Sequence, residues 1–156
     1  MKSDLKSGTG IKVPPPIIYL AALISGVVLD YFWPYLPLPE NWGNIIGAVL
    51  ILASILLVPT VLIRFKKVGT TFDVRKSATT LITNGPYRFS RNPAYISLTL
   101  LYLGLGSVFN NVWILALVIP VLLIMDLWIV RKEERHLEEI FGEEYLQYKS
   151  SVRRWL

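Results

Sequence analysis

Residues 81–95 read LITNGPYRFSRNPAY. This polar and aromatic island carries a Gly-Pro turn and two arginines, Arg88 and Arg91, and strongly apolar segments lie on both sides of it. In a membrane protein such an island sits at the bilayer surface, either as a connector or as a site. Asn84-Gly85-Pro86 reads as a turn: Gly85 tolerates a positive φ, and Pro86 fixes its own φ while pushing Gly85 out of the α region. Arg91-Asn92-Pro93 is a second punctuation. Pro93 suits the first turn of a helix, where its missing N–H is not needed, and Asn92 is a good N-cap. A helix is therefore expected to start here. Free N–H groups at such a start favour anionic groups such as a carboxylate. On local chemistry alone, an ordinary capped helix at a membrane surface explains the island slightly better than a site does.

The flanking sequence makes lipid the solvent. The chain has 156 residues, is 53% hydrophobic and has a mean hydropathy of +0.49, more apolar than a soluble domain of this size. Trp42 to Ile63 is 22 residues without a charge. At a helical rise of ~1.5 Å it reaches ~33 Å, enough to cross a hydrocarbon core of ~30 Å. The expected spans are residues 16–36, 42–63, 93–109 and 112–130, with a loop over 64–91 and a tail over 131–156. The third span is shorter and richer in Gly, and its Gly104 and Gly106 allow close packing. The whole reads as one all-α integral membrane domain. A signal peptide explains the first run poorly, because its leading region is long and no small-residue cleavage site precedes Trp33 and Pro34. The absence of cysteine excludes disulfides, thiolate nucleophiles and Cys-ligated metals, and the one histidine, His136, cannot supply a His-rich metal site.

The net charge of +5 says less than its distribution. Arg64, Lys66, Lys67, Arg75, Lys76, Arg88 and Arg91 stand in the middle loop against one acid, Asp73. The tail holds Arg131, Lys132, Arg135, Lys149, Arg153 and Arg154, and the start of the chain holds Lys2, Lys6 and Lys12. The short connections 34–41 and 110–111 have no basic residue. Because cytoplasmic flanks carry the Lys and Arg excess, four spans with both ends and the middle loop in the cytoplasm fit these positions. Trp33, Trp42, Trp113 and Trp128 near the span ends suit interfacial anchors. The 28-residue loop exceeds the length of a simple connector, about 12–15 residues, and its Phe72, Leu81, Ile82, Tyr87 and Phe89 predict packing rather than disorder.

A second cluster closes the last span. Asp126, Val130 and Glu133 fall at i, i+4 and i+7, on one face of an α-helix. Asp126 lies about two turns inside the apolar run, where an ionisable residue faces a polar cavity or a partner. Glu134, among Arg131, Lys132 and Arg135, reads equally well as a member of local salt bridges. Beyond it, Leu137, Ile140 and Phe141 form an apolar stripe that Gly142 ends or bends, and Tyr145, Tyr148, Val152 and Trp155 supply a second apolar set suited to packing.

The order of these pieces resembles the isoprenylcysteine carboxyl methyltransferase family, which is related to the phospholipid N-methyltransferases. That family's hallmark is similar to L-V-T-x-G-P-Y-x-x-x-R-H-P-x-Y, followed by a Glu-Glu pair and F-G-x-x-Y-x-x-Y. Here the first part is Leu81, Ile82, Thr83, Gly85, Pro86, Tyr87, Arg91, Asn92, Pro93 and Tyr95, and the second is Glu133, Glu134, Phe141, Gly142, Tyr145 and Tyr148. The match runs from about Gly69 to Trp155. It implies an integral membrane methyltransferase using S-adenosylmethionine (SAM). Its cofactor pocket would be built from Thr79, Thr80, Leu81, Ile82 and Tyr87, from the turn Asn92, Pro93, Ala94 and Tyr95, and from Glu133. Asn92 stands where the prenylcysteine enzymes carry His, so an imidazole has no part at that position. The arginine that touches substrate in those enzymes has no clear equivalent. Arg131 is the nearest, out of register by about two residues, with Asp126 and Arg91 as further substrate-side candidates.

The implied partners are the lipid bilayer and a lipophilic or amphipathic acceptor: an isoprenylcysteine-like carboxylate, a thiol or a lipid amine. The acceptor and the oligomeric state stay open. The basic residues track membrane topology and give no support to nucleic-acid binding. The competing class is a non-catalytic four-span scaffold whose Arg64, Lys66, Lys67, Arg88 and Arg91 bind anionic headgroups.

Overall fold

The computed structural model describes residues 11, 13–35, 39, 41–68 and 80–156, and all regular structure among them is helical. In chain order these are α1 (Pro15–Phe32), α2 (Trp42–Val68), a 3₁₀ turn (Gly85–Arg88), α3 (Pro93–Val108), α4 (Val112–Ile124), a π-helical segment (Met125–Val130), α5 (Arg131–Phe141) and α6 (Glu143–Ser151). Three helical runs are long and apolar enough to cross a membrane: Pro15–Phe32, Trp42–Lys67 and the continuous Val112–Phe141. Pro93–Val108 is a shorter apolar helix. Its 16 residues rise only ~24 Å, less than a typical hydrocarbon core of ~30 Å. The fold is thus the expected all-α bundle of a multi-pass membrane protein.

Two expectations need correction. The second helix does not stop at Ile63 but runs on to Val68, so the loop begins five residues later than its charges suggested. Lys66 and Lys67 fill that last turn, where cations complement the helix dipole and favour continuation. Asn92 precedes α3 as expected, but its side chain makes no capping bond. Its carbonyl accepts from the N–H groups of Tyr95 and Ile96, and its side chain is turned to the C-terminal tail.

Glycine sets the helix pairs. A Cβ at Gly47 would lie 2.5 Å from Val108 Cγ2 and 2.7 Å from the Gly104 carbonyl, and one at Gly104 would lie 2.6 Å from Ile51 Cγ1. These positions bring α2 and α3 into backbone contact, and Ser54 donates to the Ser97 carbonyl across the same seam at 2.8 Å. Gly106 faces Ile114 and Leu115 of α4, and Gly26 of α1 faces Ile114. The close packing expected of Gly104 and Gly106 is therefore realised within the chain. Tyr19, Tyr95, Tyr102, Ile114, Val121, Met125, Ile129 and Val130 form the buried centre between α1, α3 and the last helical run. Ile17, Leu20 and Ile24 of α1 and Ile45, Val49, Leu52 and Leu56 of α2 are exposed. A continuous apolar face of that size belongs against acyl chains rather than water.

The π segment changes which side chains share a face. The Arg131 N–H donates to the Asp126 carbonyl, five residues back. A π turn inserts one extra residue, so i+8 takes the place that i+7 holds in a regular helix. Asp126 is therefore aligned with Glu134 rather than with Glu133, and the two acids share a partner.

Candidate active site

The start of α3 and the charged turn of α5 face each other at one end of the bundle. The Tyr95 hydroxyl, in the first turn of α3, donates to Glu133 Oε2 at 2.9 Å. Tyr95 is 6% exposed. Beside this pair runs the 3₁₀ turn carrying Tyr87. Gly85 opens that turn with φ of +65°, and a Cβ there would lie 2.5 Å from Arg64 Nε at the end of α2. The Tyr87 ring meets Phe65 edge-on at 6.2 Å between centroids, and its carbonyl accepts from the Tyr148 hydroxyl of α6 at 2.7 Å. Residues from α2, the 3₁₀ turn, α3, α5 and α6 thus converge on one place.

Two acids of this site have cations and one does not. Glu134 is 5% exposed and is held by Arg91 Nη2 at 2.8 Å and by Arg154 at 2.8 and 3.1 Å. Asp126 meets Arg154 Nη1 at 3.2 and 3.3 Å, the Trp155 indole N–H at 3.0 Å and Arg131 Nε at 3.6 Å. Glu133 has Tyr95 as its hydrogen-bond donor and no cation within ion-pair reach among the described residues. It lies past Val130, in the charged run Arg131–Arg135, outside the apolar span. Burial pushes its carboxyl up to about 7; the Tyr95 hydrogen bond acts in the opposite sense, and the neighbouring Glu134 charge adds to the rise. Burial also raises the Tyr87 phenol, and the Glu133 and Tyr148 charges reinforce it.

The structure places Tyr87, Asn92, Pro93, Tyr95 and Glu133 near one another. Asn92 and Pro93 are buried and Ala94 half-buried. Ile82 is buried, Leu81 half-buried and Thr80 exposed along the stretch that leads into the 3₁₀ turn. Thr79 lies outside the described residues. All three substrate-side candidates take part in the ion pairs just given; Arg91 is nearly buried, whereas the Arg131 side chain, at 3.6 Å from Asp126, is 54% exposed.

Four residues not singled out from the sequence complete the walls. The Arg153 carbonyl accepts from the Arg91 N–H at 3.0 Å. The Arg154 carbonyl accepts from Asn92 Nδ2 at 2.9 Å and from Ser90 Oγ at 3.2 Å. Arg154 and Trp155 hold Asp126. One signal pointed there: an acid inside an apolar run needs a partner, and the tail offers cations.

Residues 42–144 match the family model described as phospholipid methyltransferase. A stretch of 62 residues is 39% identical to an uncharacterized protein of Haemophilus influenzae, covering 40% of this chain and 98% of that protein. The family match includes the island, α3 and both glutamates.

Proposed function

This chain belongs to the phospholipid methyltransferase family, and we propose that it transfers a methyl group from SAM to a lipophilic or amphipathic acceptor at the cytoplasmic face of the membrane. The observation that carries this reading is Glu133, a half-buried carboxyl oriented by Tyr95 and with no cation in ion-pair reach among the described residues. A carboxyl of this kind favours a positive group or a hydrogen-bond donor brought beside it. The ammonium of SAM would meet it as an ion pair, and one of its hydroxyls as a donor. When bound, SAM supplies an electrophilic methyl on a sulfonium, and the hard chemistry belongs to the cofactor.

The chain's own task is alignment, which accounts for a large part of the barrier reduction in such a displacement. Tyr95 fixes the Glu133 carboxyl, and Tyr87, held through its carbonyl by Tyr148, stands beside it. The dipole at the start of α3 favours the cofactor carboxylate, although the Asn92 carbonyl already uses the Tyr95 and Ile96 amides. Asn92 contributes its backbone, since its side chain is committed to the Arg154 carbonyl. The resemblance assigns Thr79, Thr80, Leu81 and Ile82 to the cofactor side as well. On the acceptor side, Arg131, loosely paired with Asp126 at 3.6 Å and largely exposed, is the cation we assign to an anionic group. No nucleophile of the chain is required, which suits a sequence without cysteine.

Calorimetry on the purified protein tests the assignment. Glu133→Gln is expected to weaken SAM binding by about tenfold or more, as for a charge-assisted contact; unchanged affinity would sink it. A thermal shift on adding SAM or its demethylated product supports the enzyme. The absence of any shift with either would favour the lipid-binding scaffold instead.

A further inference from the structure

We propose that Arg154 is a positioning residue for this site, a clamp that sets the register between the wall bearing Tyr95 and the wall bearing Glu133; the proposal rests on the cofactor reading above. The two walls come from distant parts of the chain, residues 90–95 and residues 126–134. A single tail residue is bonded to both. The Arg154 guanidinium reaches Asp126 in the π segment and Glu134 in α5. Its carbonyl takes hydrogen bonds from Ser90 and Asn92 at the start of α3.

The chemistry of the contact argues for placement over mere adhesion. Arginine presents a planar fork, and here it engages two carboxylates at once, one through two of its nitrogens. That grip fixes the rotation of α5 about its axis. Glu133 is the next residue to Glu134, so the same rotation sets where the Glu133 carboxyl points. The π segment is what allows it, by placing Asp126 and Glu134 where one guanidinium reaches both. Arg91, the second cation on Glu134, also bonds the Lys149 carbonyl and so ties the same acid to α6. Arg154 lies beyond the residues that match the family model, so the clamp is contributed by sequence outside the matched region.

A double-mutant cycle on SAM affinity, measured by calorimetry on the full-length protein in detergent, separates placement from general stability. Arg154→Lys keeps a charge but loses the fork. In the otherwise unmodified protein it is expected to raise the SAM Kd by about fivefold or more, and in a Glu133→Gln background to have little further effect, because residues that act through one another are non-additive. An equal loss in both backgrounds would make Arg154 a stabilising residue only and overturn the proposal. If Arg154→Lys does not survive purification, Trp155→Phe, which removes the indole bond to Asp126, enters the same cycle and must show the same non-additivity. Failure of the unmodified protein to bind SAM overturns the cofactor reading and the clamp with it. Binding with additive losses overturns the clamp alone.

Discussion

At the scale of single residues, Glu133 makes a prediction about pH. Its carboxyl, normally near 4.5, is raised to about 7 in the unliganded protein, mainly by burial. A cationic ligand favours the ionised form, so SAM affinity is expected to increase as pH rises through about 7, with Glu133→Gln flattening the profile; calorimetry at several pH values checks this. Stability has the opposite sign. A raised folded-state value gives a contribution that is full below about 4.5 and lost as pH climbs through about 7. Glu133→Gln should therefore melt higher than the unmodified protein at pH 8 and show less advantage at pH 6. Tyr95→Phe, which deletes the hydroxyl that donates to Glu133, should weaken SAM binding by roughly three- to tenfold with little change in fold, read from affinity and the melting curve together. Tyr95 and Glu133 could be found in the sequence because each sits in a recognisable local pattern. For Arg154 the sequence offered only the general need of Asp126 for a cation, because the partner is 28 residues away and nothing local in Ser-Val-Arg-Arg-Trp tells Arg154 from the other basic residues of the tail.

At the scale of elements, glycine and helix geometry decide the outcome. Gly104→Leu should separate α2 from α3, because even a Cβ there would lie 2.6 Å from Ile51 Cγ1 and 3.1 Å from the Gly47 carbonyl. Overpacking of this kind costs about 1–3 kcal/mol or more, readable as a lowered melting temperature in detergent. Gly142 is a different case. It joins α5 to α6 at φ +54°, ψ −125°, and an added Cβ would meet nothing within 4 Å. Gly142→Ala should still destabilise by roughly 1–3 kcal/mol, purely from backbone strain. The helix starts at Pro93 and the break at Gly142 were legible because proline and glycine act locally. The identity of the acid sharing a face with Asp126 was not. Counting at 3.6 residues per turn selects Glu133, and the π segment moves the alignment to Glu134. Its six residues, Met125–Val130, are ordinary helix formers that give no cue to the wider turn.

At the scale of the whole molecule, the apolar exterior and the distribution of Lys and Arg make the sidedness testable. The chain has no cysteine, so single-cysteine reporters need no prior removal of native thiols. Lys132→Cys should react with an impermeant maleimide only after the cell membrane is permeabilised, and Pro39→Cys should react in intact cells. The reverse pattern would place the site on the other face. The helix count was readable from hydropathy alone. The inward packing of the glycine-bearing third helix was foreseeable, whereas the tail's return to it depends on contacts between residues about 60 positions apart.

The shortness of α3 has a consequence for the bilayer itself. A helix that rises ~24 Å beside neighbours of full spanning length draws the lipid surface down toward its start, or leaves that start below the surface. A bilayer that followed α3 would be dimpled over this end of the bundle, with Tyr95 and Glu133 near the floor of the dimple. On the proposed function, an acceptor held by its tail in the leaflet would meet the site without being lifted out, and the depth of the dimple would act as a ruler for headgroup height. On the same reading membrane thickness would control turnover: a thicker bilayer would deepen the well that a water-soluble donor must enter, and a thinner one would flatten it.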